Sequence, residues 1–212
     1  MKSWKLAIGA GAASLLFGLV LMAPQADAAG IAGSSHDFST GAWVNADGEI
    51  CKPCHTPHNA ATQPPLWAHN VNMTQGYTMY AGLDLQGVGT APGTVSRLCL
   101  SCHDGVFNVG DFVNSANTGT TIATRANFGT DLSNDHPVGI TYNQSADAEL
   151  NAPGTLTNVE LFTAAGAVSN VEDSLVECAS CHDAHNTGTA AGTKLLKASM
   201  AASALCLECH AK

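Results

Sequence analysis

All eight cysteines of the chain fall into four pairs with the same spacing, and each pair is followed directly by a histidine. The pairs are Cys51/Cys54, Cys99/Cys102, Cys178/Cys181 and Cys206/Cys209, and the histidines are His55, His103, His182 and His210. C-x-x-C-H is the attachment signature of c-type haem. The two thiols add to the vinyl groups along one porphyrin edge, and the next residue places an imidazole under the ring, where it binds iron. The pattern predicts four covalent haems, with these cysteines as thioethers and these histidines as proximal iron ligands.

Two other uses of paired cysteines fit the pattern less well. Disulfides form in exported proteins, but a framework of structural disulfides does not repeat a two-residue gap four times with His attached. Paired C-x-x-C knuckles can hold zinc, yet zinc gives no reason for a histidine to follow every pair.

The second axial ligand decides whether a haem carries electrons or binds a substrate. Outside the motifs the chain has five histidines, which are His36, His58, His69, His136 and His185. Beyond residue 28 it has three methionines, which are Met73, Met79 and Met200. Four irons and five spare histidines favour a histidine on both faces of every haem, with one histidine left over.

His58 and His185 each lie three residues after the histidine of a motif. Three residues of chain reach at most about 10 Å, which is too short to pass round a porphyrin edge to its other face. If these two histidines are distal ligands, each therefore serves the haem of a different motif. The alternative is a solvated histidine in a loop.

The remaining three candidates stand in different settings. His136 precedes Pro137, which favours an extended backbone suited to presenting an imidazole from a loop. His36 lies near the N-terminus of the predicted mature chain, an end that iron ligation would tie down. His69 follows Trp67 and is the least favoured distal candidate; its alternative role is a hydrogen bond to a haem propionate, with Trp67 packed on a ring.

The first 28 residues have the features of a secretory signal peptide. Lys2 and Lys5 are followed by the uncharged apolar stretch Leu6–Ala23, then by Pro24 and the small-residue cleavage pattern Ala26–Ala28. An uncleaved membrane anchor is the alternative, since 18 apolar residues can just span a bilayer. Cleavage predicts an exported protein without a membrane span, and haem c is attached outside the cytoplasmic membrane.

The composition is poor in the residues that build an ordinary core. Charged residues make up 12% and aromatic residues 6%, with 21 glycines, whereas soluble domains are about 25% charged. We therefore expect residues 29–212 to form one tetrahaem domain, mostly irregular, with short helices at the haem motifs, a few short strands and a stack of haems as its core. The net charge of −9 argues against nucleic acid or an anionic membrane as partner.

Local patterns predict where regular structure lies. Ala198–His210 is the best helix candidate, and single helical turns are expected at the other three motifs because thiols and imidazole must share a face. Gln144–Leu150 could form another short helix. Val106–Val113 and Thr120–Phe128 have the β-branched and aromatic content of short strands.

A set of motifs in a fixed order runs through nearly the whole mature chain. They are Ser35–Asp37, C-x-x-C-H-T-P-H-N at Cys51–Asn59, Pro65–Trp67, C-L-S-C-H-D-G at Cys99–Gly105, Asp131–Val138, C-A-S-C-H-D-A-H-N at Cys178–Asn186 and C-L-E-C-H at Cys206–His210. Together they resemble the tetrahaem c-type cytochromes of metal-reducing bacteria, the OmcE type, whose characterised members polymerise into extracellular nanowires. The resemblance implies haems that all carry two histidines and a chain with little regular secondary structure.

These observations predict an electron-transfer protein, not an enzyme, with redox proteins as partners and a secreted, cell-surface location. The alternatives are a soluble periplasmic tetrahaem shuttle and, less favoured, a multihaem reductase with one open iron. A homopolymer would need its last haem near the first haem of the next subunit, and the simplest device is a ligand donated head to tail. His58 is the first candidate donor and His36 the second. The acceptor would be the haem of Cys206–His210 or of Cys178–His182, although His58 could also serve a haem in its own subunit.

Overall fold

The computed structural model describes residues 30–39, 48–62, 65–82, 87, 89–113, 121–123, 125–187 and 194–211. The predicted signal peptide lies outside these residues. No helix in these ranges is long and apolar enough to cross a membrane.

Regular secondary structure is sparse and short. The helices are α1 (Thr94–His103), α2 (Cys178–Cys181) and α3 (Ala204–Cys209), with 3₁₀ turns at Pro153–Thr155 and Ala201–Ser203. The strands β1 (Ile140–Thr141) and β2 (Leu175–Val176) pair antiparallel, with Ile140 opposite Val176. The prediction of a mostly irregular fold with short helices and few strands is confirmed, and such a fold is consistent with a multihaem cytochrome.

The helices coincide with the cysteine motifs, as the chemistry requires. Motifs two, three and four lie on α1, α2 and α3. The first motif forms a single turn, closed by a hydrogen bond from the His55 N–H to the Cys51 carbonyl at 3.0 Å. A C-x-x-C spacing places both thiols one helical turn apart, so this local geometry follows directly from the motif.

Three other secondary-structure predictions were wrong or too long. Gln144–Leu150 forms turns, because the Asp147 side chain accepts the N–H of Glu149 at 2.9 Å, a group that a helix would direct to the Ser145 carbonyl. Val106–Val113 forms bends and turns, because Asp104 Oδ1 accepts the N–H of Val106 at 2.8 Å and turns the chain at once. The described part of Thr120–Phe128, which omits Thr120 and Thr124, contains no strand.

The predicted C-terminal helix is shorter than Ala198–His210. Ala202 and Ser203 have left-handed backbone angles, with φ of 50° and 60°, and these interrupt the helix before α3. The helical turn that carries Cys206 and Cys209 is retained.

One hydrophobic cluster of side chains lies between the β1–β2 pair and α3. Its buried members are Tyr142, Leu156, Val159, Leu161, Val176, Ala198 and Leu205. The Tyr142 hydroxyl donates to the Asn151 carbonyl at 2.7 Å and lies 3.2 Å from the Cys209 carbonyl. This cluster therefore holds the fourth motif against the strand pair, while the haem stack expected as the rest of the core remains a prediction.

Replacing Tyr142 with Phe removes the hydroxyl that donates to the Asn151 carbonyl, while the Cys209 carbonyl keeps the N–H of Asn151 at 2.8 Å. We expect the free energy of unfolding to fall by about 1–3 kcal/mol, measured by chemical denaturation of the haem-loaded protein. Tyr80→Phe, at a tyrosine that is 38% exposed, is the matched control and should be nearly neutral. Equal losses in the two variants would contradict the role given to Tyr142.

Candidate haem-binding sites

The turn of the first motif is held on both sides by one returning segment, residues 66–68. The N–H of Thr56 donates to the Leu66 carbonyl at 2.8 Å, and the N–H of Ala68 donates to the Cys54 carbonyl at 2.9 Å. The chain therefore leaves the motif, turns, and returns to clamp it.

The third motif is held in the same manner. The N–H of Asp183 donates to the Leu195 carbonyl at 2.7 Å, and the N–H of Lys197 donates to the Cys181 carbonyl at 2.9 Å. We call residues 51–68 the first clamp module and residues 178–197 the second.

The two clamp modules also share unusual backbone angles. Leu66 and Leu195 have φ of 62° and 54° at corresponding positions, and Asn59 and Asn186 have φ of 51° and 56°. Left-handed leucine is uncommon, so its recurrence marks a repeated structure. From the sequence, only the shared C-x-x-C-H-x-x-H-N of the two modules could be recognised. The equivalence of the segments that return to the motifs was missed, because these segments share one leucine and lie at different distances from their motifs.

Three motif imidazoles are fixed in one tautomer by backbone carbonyls. The Nδ1 atoms of His55, His103 and His182 lie 2.8, 2.7 and 3.0 Å from the carbonyl oxygens of Pro65, Ala126 and Lys194. A carbonyl only accepts, so Nδ1 carries the proton and Nε2 keeps its lone pair for a metal. Metal-ligating histidines are commonly oriented by such a bond. The residues present therefore fit haem iron.

Three motif histidines each lie beside one histidine from outside the motifs. The ring centroids are 6.0 Å apart for His36 and His103, 6.1 Å for His55 and His185, and 6.5 Å for His136 and His210. An imidazole nitrogen lies about 2.0 Å from a bound metal, so two imidazoles on opposite sides of one metal have centroids about 6 Å apart.

Ordinary aromatic contacts cover the same range, about 4.5–7 Å. The informative feature is therefore which histidines form the pairs, and not the distance between their rings. Each joins one motif histidine with a different histidine from outside the motifs, and His185 lies beside the first motif, not its own.

The other predicted site residues lie in different surroundings. His69 is 2% exposed, with its ring 4.7 Å from that of Phe112 and its Nε2 3.7 Å from the Cys102 sulfur. His58 is exposed. Among the residues that the structure describes, no imidazole ring is placed against His182 at the spacing of the three pairs.

The pair formed by His36 and His103 is kept neutral by its surroundings. Burial lowers the pKa of both imidazoles; repulsion from His103 lowers that of His36 further, while a backbone hydrogen bond with Ala184 opposes the change. A metal competes with a proton for the same nitrogen, so a lowered pKa favours metal binding.

Cysteines of consecutive motifs lie near one another. The thiols of Cys99 and Cys178 lie close enough to shift each other's pKa, which is raised for Cys99 and lowered for Cys178. Burial, and secondarily the neighbouring Cys54, raises the pKa of Cys102 to about 12. Burial, and secondarily the neighbouring Cys181, likewise raises the pKa of Cys209 to about 12. The motifs are thus adjacent in space in the order in which they occur in the chain.

Glu177 joins the second and third motifs. Its Oε2 accepts the N–H of Ser96 on α1 at 3.1 Å and also the Ser96 hydroxyl, while Ser96 Oγ accepts the N–H of Cys178 at 2.9 Å. Glu177 is 1% exposed, and Oε1 has no hydrogen-bond partner among the described residues. Burial raises the pKa of this carboxyl. Sequence reasoning did not single out this residue, because its partner on α1 is 81 positions away.

A family profile for the doubled CXXCH motif matches residues 171–212, which contain the third and fourth motifs. A search of curated proteins found no match. The doubled motif indicates a multihaem c-type cytochrome with covalently bound c-type haem, a class that typically transfers electrons.

The raised pKa of Glu177 predicts a pH-dependent stability. The folded chain binds this proton more tightly than the unfolded chain, so its contribution is present at low pH and is lost as the pH rises through the raised pKa. The free energy of unfolding of the wild type, relative to Glu177→Gln, should therefore fall as the pH rises above the usual carboxyl range, measured by chemical denaturation.

Glu208 supplies a control of opposite sign. Burial alone would raise its pKa, but hydrogen bonds from Asn158 and Thr157 outweigh burial and lower it. The wild type should gain stability relative to Glu208→Gln as the pH rises through the usual carboxyl range. The same slope in both comparisons would contradict the assignment.

Proposed function

We propose that this chain carries electrons along four c-type haems, each held by two histidines, in the order of the motifs in the sequence. The observation that carries the proposal is the set of three imidazole pairs, each combining one motif histidine with one histidine from elsewhere. Under this proposal His185 serves the haem of His55, His36 that of His103, and His136 that of His210. The neighbouring cysteines of successive motifs support the order.

Haem c supplies a reversible one-electron couple at each iron. The protein's part is to fix the two imidazoles of each site. Backbone carbonyls hold Nδ1 of His55, His103 and His182, so these rings present the same nitrogen in both redox states. A site with imidazole on both faces has no open position for a substrate. This favours electron transfer over a multihaem reductase.

Replacing His136 with Ala should convert one haem per chain from low-spin to high-spin, because the site of His210 loses its second imidazole. Electron paramagnetic resonance and carbon monoxide uptake by the reduced protein measure the change. His69→Ala is the control, since His69 packs against Phe112 and lies outside the pairs. It should reduce stability without creating a high-spin haem. A high-spin haem in His69→Ala but not in His136→Ala would show that His69, and not His136, is a distal ligand.

We further propose that the haem of Cys178–His182 receives its distal ligand from His58 of a second copy. His185 of the second clamp module lies beside the first motif, 6.1 Å from His55. The equivalent residue of the first clamp module is His58, which is exposed. Within one chain, the second histidine of the second clamp module lies beside the motif histidine of the first. If His58 makes the equivalent contact with another copy, its partner is His182 of that copy, which is also exposed and is held by the Lys194 carbonyl.

Such a contact is head to tail and does not close, so it generates a filament. With the predicted signal peptide, this supports a secreted protein that forms an extracellular electron-conducting polymer. A homopolymer of this kind transfers electrons from one copy to the next without any partner protein between them, and redox proteins act only at its ends.

His58→Ala tests this assembly. We expect loss of filaments by electron microscopy and one additional high-spin haem per chain. Added imidazole should then restore the low-spin spectrum without restoring filaments, because free imidazole fills the iron but cannot bridge two chains. Filaments of His58→Ala with every haem low-spin would refute the cross-subunit ligand. A wild type that stays monomeric with every haem low-spin would instead favour a soluble periplasmic shuttle.

A further inference from the structure

The N-terminal arm, residues 30–39, is fastened to the loop that follows the third motif, residues 183–187. The side-chain amide of Asn186 donates to the Gly30 carbonyl at 2.6 Å. The Gly30 Cα packs so closely on this loop that a Cβ would overlap the His185 carbonyl oxygen. The backbone of Ala184, in the same loop, also lies near enough to His36 to raise the pKa of its imidazole. The hydrogen bond and the close packing of Gly30 therefore join two segments that are far apart in the sequence.

The loop has a defined shape of its own. Asp183 Oδ1 accepts the N–H of His185 at 2.9 Å, and Asp183 Oδ2 accepts the N–H and the hydroxyl of Thr187 at 2.6 and 2.7 Å. Burial would raise the pKa of Asp183, but these hydrogen bonds outweigh it and hold the pKa below its usual range. Asn186 then turns the chain with φ of 56°. The loop is thus a rigid surface against which the arm can be placed.

Hydrogen bonds within the N-terminal arm also fold it, so that Gly30 and His36 belong to one structured segment. Asp37 Oδ2 accepts the N–H of Gly33 at 2.6 Å, and Asp37 Oδ1 accepts the N–H of Ser39 at 3.0 Å. The N–H of Ser34 donates to the Ile31 carbonyl at 2.9 Å. A displacement of Gly30 is therefore passed to His36 through a folded segment, not absorbed by a slack one.

We propose that the loop 183–187 positions the distal ligands of two haems at once, and that Asn186 and Gly30 are positioning residues. The loop carries His185 to the haem of His55, and through Gly30 and Asn186 it holds His36 at the haem of His103. This inference rests on the proposed pairing of these histidines. It assigns to Asn186 and Gly30 a role in ligation although neither contacts an iron.

The two residues should fail in different ways. Asn186→Gly keeps the left-handed turn, because glycine adopts it freely, and removes only the amide that holds the arm. Gly30→Ala places a methyl group against the His185 backbone, so the arm and the loop cannot both keep their positions. Asn186→Gly should therefore release only His36, whereas Gly30→Ala should disturb both His36 and His185.

The chain offers a matched control for each variant. Asn59→Gly makes the same change at the equivalent left-handed position of the first clamp module, where φ is 51°. Gly154→Ala adds a methyl group at a glycine with no atom within 4 Å of the new Cβ. Both controls should keep the spin states and carbon monoxide uptake of the wild type.

The experiment compares these variants with His36→Ala in the full haem-loaded chain. His36→Ala should bind one carbon monoxide per chain beyond the wild-type level. Asn186→Gly should bind more carbon monoxide than the wild type and less than His36→Ala. The rate of amide hydrogen exchange in residues 30–39 should rise at least tenfold in Asn186→Gly. Gly30→Ala should exceed Asn186→Gly in carbon monoxide uptake.

The outcomes separate the two proposals. If His36→Ala leaves every haem low-spin, the pairing of His36 with His103 is wrong. If His36→Ala opens one haem while Asn186→Gly and Gly30→Ala behave like their controls, the pairing stands and the positioning role is overturned. Faster exchange in the arm without any gain in carbon monoxide uptake would also overturn it, since the arm would then be held independently of ligation.

Discussion

The constraint on which this structure depends is that an imidazole must present one nitrogen to iron while its other nitrogen is held. Backbone carbonyls do this for His55, His103 and His182. Each carbonyl belongs to a residue in a turn that follows its motif, namely Pro65, Ala126 and Lys194. Turn backbone is therefore used to hold the motif histidines, and the only strand pair in the described residues has two residues on each side.

The clamp modules show how such a chain can be built without a conventional core. Each turn of helix is too short to be stable alone, and each is fixed by two backbone hydrogen bonds from a segment that returns to it. Glu177 and Ser96 then join the α1 turn to the α2 turn through buried hydrogen bonds. Burial destabilises the charged form of the Glu177 carboxyl, so its pKa rises and the protonated form is favoured.

The cysteine motifs predicted more than any other feature of the sequence. They correctly placed four helical turns, because the spacing itself specifies a turn, and the scarcity of large side chains correctly indicated an irregular fold. The same reasoning failed for Gln144–Leu150 and Val106–Val113, where short polar side chains capture backbone N–H groups and override local propensity. Which histidines face each other could not be read from spacing, because the pairs join residues separated by as many as 130 positions, as with His55 and His185. The equivalence of the clamping segments was hidden for a different reason: their backbone angles and one leucine recur, but the leucine lies 11 residues after His55 in one module and 13 residues after His182 in the other.

The contact between Gly30 and Asn186 spans 156 positions, and this has a consequence for biogenesis. In a chain synthesised from its N-terminus, the arm is made long before the loop that receives it. Bringing the two together closes a loop that contains nearly the whole protein, and long-range closures of this kind form late and slowly. The ring of His103 is thus carried by its own helix early, whereas His36 can be held beside it only after the loop has been synthesised. The contact between these two imidazoles is therefore among the last in the protein to form.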